Sequence, residues 1–171
     1  MPDANTPDAT AGGLSAARFL SHLGSEAART RLYLATFEAA DMDTPPAAGM
    51  MTARELAIHL AACWQWLRMA IVENDPDFKH FQLTATVADG AEAARLYTGE
   101  YRKLKEGLSG LGEAGFGRMV KAFGSEMPAS DLCLDLLFHD CHHRGQLAAA
   151  LRAAGRTPPD IYKAGEIPEG E

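Results

Sequence analysis

The sequence predicts an all-α protein that folds as a four-helix bundle. Four stretches of the 171-residue chain carry apolar residues at the three- and four-residue spacing of a buried helix face, and segments rich in proline and glycine separate them. Hydrophobic residues make up 47% of the chain and charged residues 23%, which is ordinary for a globular domain. Four helices of similar length with reversing connections predict a bundle, although the periodicity does not determine their order in space.

The first two helices are predicted from their N-terminal caps. Ser15 is a candidate N-cap for a helix over residues 15–40, and the loop over residues 41–51 contains tandem prolines that a helix interior does not accept. Thr52 and Glu55 have the spacing of a capping box, in which each side chain satisfies a free backbone amide of the first turn. The second helix is therefore expected to begin at this point.

The second half of the chain predicts two more helices and a short extended segment. A helix is expected over about residues 91–108, and a glycine-rich connection follows in which residues 116–123 are a candidate short strand or hairpin. The fourth helix is expected to be capped by Ser130 and to extend through Leu151, with Gly155 as the left-handed residue just beyond its end.

The domain is expected to span residues 14–163, with tails over residues 1–13 and 164–171. The N-terminal stretch lacks the basic start and apolar run of a secretory signal, and no apolar run approaches the ~20 residues of a membrane span. The chain has three cysteines, an odd number that is too small for a disulfide framework. A cytoplasmic protein without a membrane partner is the expectation.

Two histidines lie one turn apart on the apolar stripe of the fourth helix. His139 and His143 continue the series that Leu136 and Leu147 define, so both imidazoles should face the core. His59 occupies the inward stripe of the second helix in the same way. Three imidazoles from two facing helices can bind one divalent ion. The alternative is that these histidines are ordinary buried residues of the core.

The residues from 138 to 147 read FHDCHHRGQL, which closely resembles the C-terminal signature of the DinB-like (DNA-damage-inducible) superfamily. The resemblance implies that His139 and His143 are metal ligands, and that the third ligand, early in the second helix, is His59. It further implies an up-down-down-up bundle, frequent formation of homodimers, and a bound zinc ion, with nickel or iron in other members.

Four residues are expected beside the proposed ligands. Gln146 is a candidate hydrogen-bond partner of a metal-bound water or a substrate, and His142 and Asp140 are candidate supports of the imidazoles. Cys63, one turn after His59, is a candidate fourth ligand or a small core residue.

Gly145 and Phe138 fall on a second apolar side of the fourth helix. There, the missing side chain of the glycine would allow another helix to approach closely.

Two classes of function remain open. The resemblance implies metal-dependent hydrolases, or enzymes that transfer groups using a low-molecular-weight thiol as cosubstrate, so a small-molecule substrate is expected. No nucleophile elbow, phosphate-binding glycine loop or dinucleotide fingerprint occurs in the sequence. Any catalysis is therefore expected to be centred on the metal. The alternative is a non-catalytic, stress-associated module that binds a metal or a ligand.

The charge of the chain predicts negligible affinity for duplex DNA. The formal net charge is −7, with 23 acidic against 16 basic residues, and the basic residues do not form a stripe. Affinity for nucleic acid comes largely from neutralising phosphates, and this chain has no basic stripe that would do so.

Titration of a random duplex at physiological salt is expected to show no sub-micromolar binding, and such binding would contradict this interpretation.

Overall fold

The computed structural model describes residues 14–81 and 83–167, so the predicted N-terminal tail lies outside the described residues. Within the described part, the chain forms four helices, and a two-stranded hairpin precedes the last of them. The elements in chain order are α1 (Ala16–Leu34), α2 (Ala53–Ile71), α3 (Gly90–Gly117), β1 (Met119–Ala122), β2 (Ser125–Pro128) and α4 (Ala129–Ala153). None of the helices in residues 14–81 and 83–167 combines the length and the hydrophobicity of a membrane span.

Helix α1 starts where the sequence predicts and ends earlier. The Ser15 side chain accepts a hydrogen bond from the backbone N–H of Arg18, as an N-cap does. The helix stops at Leu34, whereas the apolar pattern predicted helix up to residue 40. Phe37, which extended that pattern, is buried in the turn after the helix. Its carbonyl there accepts a hydrogen bond from the N–H of Gly90, so the start of α3 holds this turn in place.

Helix α3 is longer than predicted, because glycines that were interpreted as a loop are part of the helical segment. It extends to Gly117, with one break at Gly112, whose φ is 60°. Just beyond the break, the Glu113 carboxylate accepts a hydrogen bond from the N–H of Ala16 at 3.0 Å. The last turn thus caps the first turn of α1, and Phe116 packs on Phe19 with ring centroids 5.4 Å apart.

The predicted extended segment is a hairpin, displaced by a few residues from the predicted range. Its two-residue turn, Phe123 and Gly124, has φ values of 50° and 77°. Helix α4 follows directly from β2, and Pro128 occupies its N-cap position, so the prediction that Ser130 caps this helix is wrong. The N–H of Ala129 donates to the carbonyl of Arg118 at 2.8 Å, which ties the start of α4 to the end of α3.

Contacts at the helix ends show the direction of the first three helices. The bond between Ala16 and Glu113 joins the start of α1 to the end of α3, so these two helices are antiparallel. The N–H of Arg54 donates to the carbonyl of Met42, which places the start of α2 at the end of α1. A Cβ at Gly107 would lie 2.8 Å from the Val72 side chain, so the end of α2 lies beside the second half of α3, and these two helices are parallel.

Helix α4 returns in the direction of α1. It starts beside Arg118 at the end of α3, and after its C-terminus Arg156 donates to Glu38 at 2.8 Å, near the end of α1. The bundle is therefore up-down-down-up, as expected. Helices α3 and α4 each pack on both α1 and α2, which places α1 and α2 diagonally across the bundle. Helix α2 consequently faces α4, and this contact brings His59 towards the two histidines of α4.

We predict that Gly90→Ala strongly destabilises the fold. A Cβ at this position would lie 2.3 Å from the carbonyl oxygen of Leu34 and 2.4 Å from that of Phe37, which are backbone atoms without freedom to rotate away. Overpacking of this kind costs about 1–3 kcal/mol. The measurement is urea unfolding followed by circular dichroism.

The matched control is Gly99→Ala, in the interior of the same helix. No atom lies within 4 Å of a Cβ built there. Because alanine is the better helix former by about 1 kcal/mol, this variant is expected to be as stable as the wild type or more so. Equal stability of the two variants would contradict the close approach described at Gly90.

Candidate metal centre

Three imidazoles meet between α2 and α4. The Nε2 atom of His59 lies 3.4 Å from Nε2 of His139 and 3.1 Å from Nε2 of His143. The Nε2 atoms of His139 and His143 are 3.1 Å apart. These three residues form a group whose ligand atoms all lie within 4.8 Å of one another. The structure therefore brings together the three histidines that the sequence singled out.

The triangle of nitrogens has the size that a tetrahedral ion requires. An ion ~2.0–2.1 Å from each nitrogen places its donors ~3.3–3.4 Å apart. Mutual hydrogen bonding does not account for the triangle equally well. Each neutral imidazole carries a single N–H, so three nitrogens that face one another cannot all be paired by protons. The donor set thus fits a divalent transition metal.

Gln146 orients one of these imidazoles. Its Oε1 atom lies 2.9 Å from Nδ1 of His143, and its amide nitrogen lies 3.1 Å from Nε2 of His142. Because a carbonyl oxygen only accepts, the proton of His143 is on Nδ1, and the lone pair of Nε2 is directed into the triangle. Gln146 thus contacts the outer nitrogen of His143, whereas the sequence had suggested a bond to water or substrate. His142 is exposed, and besides this amide contact its ring lies against that of His143, with the two centroids 5.1 Å apart.

The electrostatics of the site favour neutral imidazoles. Burial lowers the pKa of His59 below its usual value, and the nearby His143 lowers it further. Burial, together with the three neighbouring histidines, lowers the pKa of His139 to about 4. The pKa of His143 is also lowered by burial, although the bond to Gln146 acts in the opposite direction. Neutral imidazole is the form that binds a metal, so the site is prepared for one at neutral pH.

Cys63 lies at the edge of the triangle. Its Sγ atom is 3.7 Å from Nε2 of His59 and 3.7 Å from Nδ1 of His139, which is the outer nitrogen of that ring. Burial raises the pKa of the Cys63 thiol to about 12, and the charge of Asp140 contributes in the same direction. A thiol must lose its proton to become a metal ligand. In this structure Cys63 is therefore a neutral neighbour of the three nitrogens.

Asp140 does not support the imidazoles, contrary to the sequence-based expectation. Its carboxylate is buried and accepts hydrogen bonds from the Thr30 hydroxyl at 2.6 Å and the Tyr97 hydroxyl at 2.8 Å. Adjacent residues of a helix point ~100° apart, so Asp140 faces α1 and α3 while His139 faces α2. Burial raises the pKa of Asp140 to about 6, against the effect of its two hydroxyl partners.

Sequence reasoning did not find the polar network around this carboxylate. Arg144 lies 4.0 Å from Asp140 and donates to Glu26 of α1 at 2.6 Å. The side chains of Arg144 and Glu26 are largely buried, at 12% and 18% exposure, which is rare for charged residues unless they are paired. The signal was present in the sequence, because Asp140 and Arg144 are four residues apart within the signature.

Phe138 and Gly145, which the sequence places on a second apolar side of α4, do not contact another helix. Phe138 is 66% exposed, and nothing lies within 4 Å of a Cβ built on Gly145. The prediction that Gly145 permits close approach of a helix is wrong for the described chain. The four helices form a closed ring, and this side of α4 points out of it.

A cavity of about 390 Å³ adjoins the histidine triangle. Its wall is mostly apolar, and it is formed by α2, α4, the loop after α2 and the turn of the hairpin. The lining residues are His59, Ala62, Cys63, Trp66, Phe78, Phe81, Phe123, Asp135, Leu136 and His139. Two of the three converging histidines thus face a space that is large enough for a small molecule.

Solved structures of similar fold come from Bacillus. A DinB-like protein of Bacillus cereus ATCC 10987 has a TM-score of 0.74 at 22% identity, covering 87% of this chain and 99% of that one. The DinB-like protein YjoA of Bacillus subtilis has a TM-score of 0.71 at 23% identity, covering 84% and 96%. YfiT of Bacillus subtilis, described as having an unusual four-helix bundle topology, has a TM-score of 0.62 at 16% identity, covering 91% and 94%. At these identities the likeness concerns the fold.

Sequence comparison identifies the family. The uncharacterized protein YrdA of Bacillus subtilis strain 168 is 42% identical over 43 residues, which is 25% of this chain and 26% of that protein. The aligned region thus spans about a quarter of this relative. The model of the DinB family matches residues 1–169, which is nearly the whole sequence. The chain belongs to the DinB family.

Proposed function

We propose that the protein binds one divalent metal ion through His59, His139 and His143 and uses it to hydrolyse a small molecule. The observation that carries this proposal is the triangle of Nε2 atoms, 3.1–3.4 Å apart, beside a cavity. The structural neighbour YfiT is described as a probable metal-dependent hydrolase, which supports the same chemistry here.

The ion would polarise a carbonyl group and lower the pKa of water towards neutrality. The residues of the chain supply what such chemistry needs. The three imidazoles would hold the metal ion in place. Gln146 keeps His143 in the tautomer whose Nε2 can bind the ion. The apolar wall of the cavity would limit the access of bulk water to the ion, where water competes with a substrate. Zinc is the proposed ion because three neutral imidazole nitrogens at this spacing suit its tetrahedral coordination. Nickel and iron are the alternative ions.

The fourth coordination position is proposed to be open to the cavity. Cys63 stands outside the group of three histidines whose ligand atoms lie within 4.8 Å of one another. An open position distinguishes catalytic sites from structural ones. The non-catalytic alternative requires a closed site, in which the Cys63 thiolate or a carboxylate completes the coordination.

Three further parts of the sequence-based expectation stay predictions. The first is a low-molecular-weight thiol as cosubstrate. The second is the homodimer, for which the exposed side of α4 that carries Phe138 is a candidate surface. Cytoplasmic location is supported by Cys63, Cys133 and Cys141, none of which forms a disulfide.

We predict that His143→Ala abolishes stoichiometric metal binding. The variant removes one of three ligands and leaves two imidazoles, which bind a divalent ion far more weakly. The wild type is expected to carry about one metal per chain by elemental analysis. Its thermal midpoint is expected to rise with added metal, because an ion that binds only the folded state stabilises it.

The control is His80→Ala. His80 is an exposed histidine that pairs with Asp75 at 2.8 Å, and it is not part of the triangle. This variant is expected to retain the metal content and the metal-dependent thermal shift of the wild type. Undiminished occupancy in His143→Ala would refute the proposed ligand set.

We predict that hydrolysis of neutral esters or amides is lost on chelation and restored by the metal. The test uses a substrate panel with metal-loaded protein, chelated protein and a Cys141→Ala variant. Cys141 contacts Glu26 and Arg144, away from the cavity, so its removal should leave activity unchanged. Activity that survives chelation and disappears in Cys141→Ala would overturn the metal mechanism. Turnover only in the presence of an added thiol would favour group transfer.

A further inference from the structure

The cavity beside the histidine triangle is walled by aromatic rings from three separate segments. Trp66 comes from α2, Phe78 from the loop after α2, and Phe123 from the turn of the hairpin. The rings of Trp66 and Phe78 are parallel, with an angle of 1° between their planes and centroids 4.7 Å apart. Phe123 lies 5.1 Å from Trp66 and 6.1 Å from Phe78. Three segments thus contribute to a single aromatic wall.

Two of these rings are exposed in spite of their size. Phe78 is 54% and Phe123 61% exposed, whereas the third ring, Trp66, is buried and is held by a hydrogen bond from its indole N–H to the carbonyl of Pro76. Burying the free faces of two phenylalanine rings against a ligand removes apolar surface from water, which favours binding.

The backbone at Phe123 indicates that its ring is there for a reason other than the turn. Phe123 and Gly124 form a two-residue hairpin turn with both φ values positive, at 50° and 77°. Such a turn strongly prefers asparagine and glycine, because a bulky side chain is unfavourable in the left-handed region. Phe123 at the first position of this turn is therefore in an unfavourable backbone conformation, and this conformation places its ring in the wall of the cavity.

The charges around the cavity restrict what enters it. Among the described residues that line it, Asp135 is the single acidic residue, and none is lysine or arginine. A group that binds on this wall, away from the proposed ion, would have no lysine or arginine to neutralise a negative charge, which is costly. The wall therefore suits an uncharged group.

We propose that the substrate carries an uncharged aromatic ring, and that this ring binds against the exposed faces of Phe123 and Phe78 while the reactive carbonyl of the substrate reaches the histidine triangle. The inference rests on the proposed function, because the cavity is a substrate site only if the triangle holds a catalytic ion. With an ester as substrate, the acyl C–O bond breaks and water supplies the new C–O bond. The proton released from water goes to the leaving alcohol.

The test compares two inhibitors that chelate a metal through the same hydroxamate group. Benzohydroxamate carries a phenyl ring and acetohydroxamate a methyl group, and both are titrated into the zinc-loaded protein by calorimetry. The phenyl ring is expected to tighten binding about tenfold or more, because it buries its face against the aromatic wall.

Phe123→Asn is the decisive variant. Asparagine followed by Gly124 suits the turn, so the variant is expected to fold with a thermal midpoint at or above that of the wild type. Its zinc content and acetohydroxamate affinity should be unchanged, and the preference for benzohydroxamate should fall to about threefold or less. The matched control is Phe138→Ala, an exposed phenylalanine of α4 outside the cavity, which should keep the full preference.

The outcomes separate this inference from the proposed function. If both inhibitors bind equally well to the wild type, or if Phe123→Asn keeps the preference, the aromatic site is refuted while the metal centre stands. If neither inhibitor binds the zinc-loaded protein, the open metal site is refuted, and the aromatic substrate site with it.

Discussion

The site depends on the fixed orientation of α4 about its own axis. One side of this helix carries Asp140, whose buried carboxylate is bound by the hydroxyls of Thr30 and Tyr97 from α1 and α3. A turn of the helix about its axis would leave these groups unpaired in the core, at a cost of about 1–3 kcal/mol for each. Because the polar side is held towards α1 and α3, His139 and His143 are held towards α2. The bundle needs no loop to orient its two adjacent imidazoles.

The site is built from parts that differ in rigidity. The imidazoles are on long helices packed in the core, and this favours a fixed geometry at the ion. Part of the cavity wall comes from the loop after α2 and from the hairpin turn, where Phe78 and Phe123 are exposed. Substitution of Phe78 or Phe123 is therefore expected to change the wall while the helices keep the imidazoles in place.

The two sides of α4 differ in charge, with neutral imidazoles on one side and an ion pair on the other. Burial lowers the pKa values of the three histidines and thereby keeps them neutral, so that no buried positive charge accumulates before an ion binds. On the opposite side, Arg144 faces the carboxylates of Glu26 and Asp140. Arg144 and the proposed cation would lie on different sides of α4, and two cations that are close together repel each other strongly in a medium of low dielectric constant.

Local sequence determined the elements whose signals are local. The capping box at Thr52, the hairpin near Phe123 and the stripe that carries His139 and His143 all depend on residues within one or two turns, and each is present in the structure. What only the tertiary structure decided depends on contacts between distant segments. Helix α1 ends early because Gly90 packs against the following turn, and the glycine-rich end of α3 is helical because Glu113 caps α1. The direction of Asp140 away from the imidazoles, and the aromatic wall assembled from three segments, follow from helix packing. Periodicity shows which residues share a face, but only packing determines what that face meets.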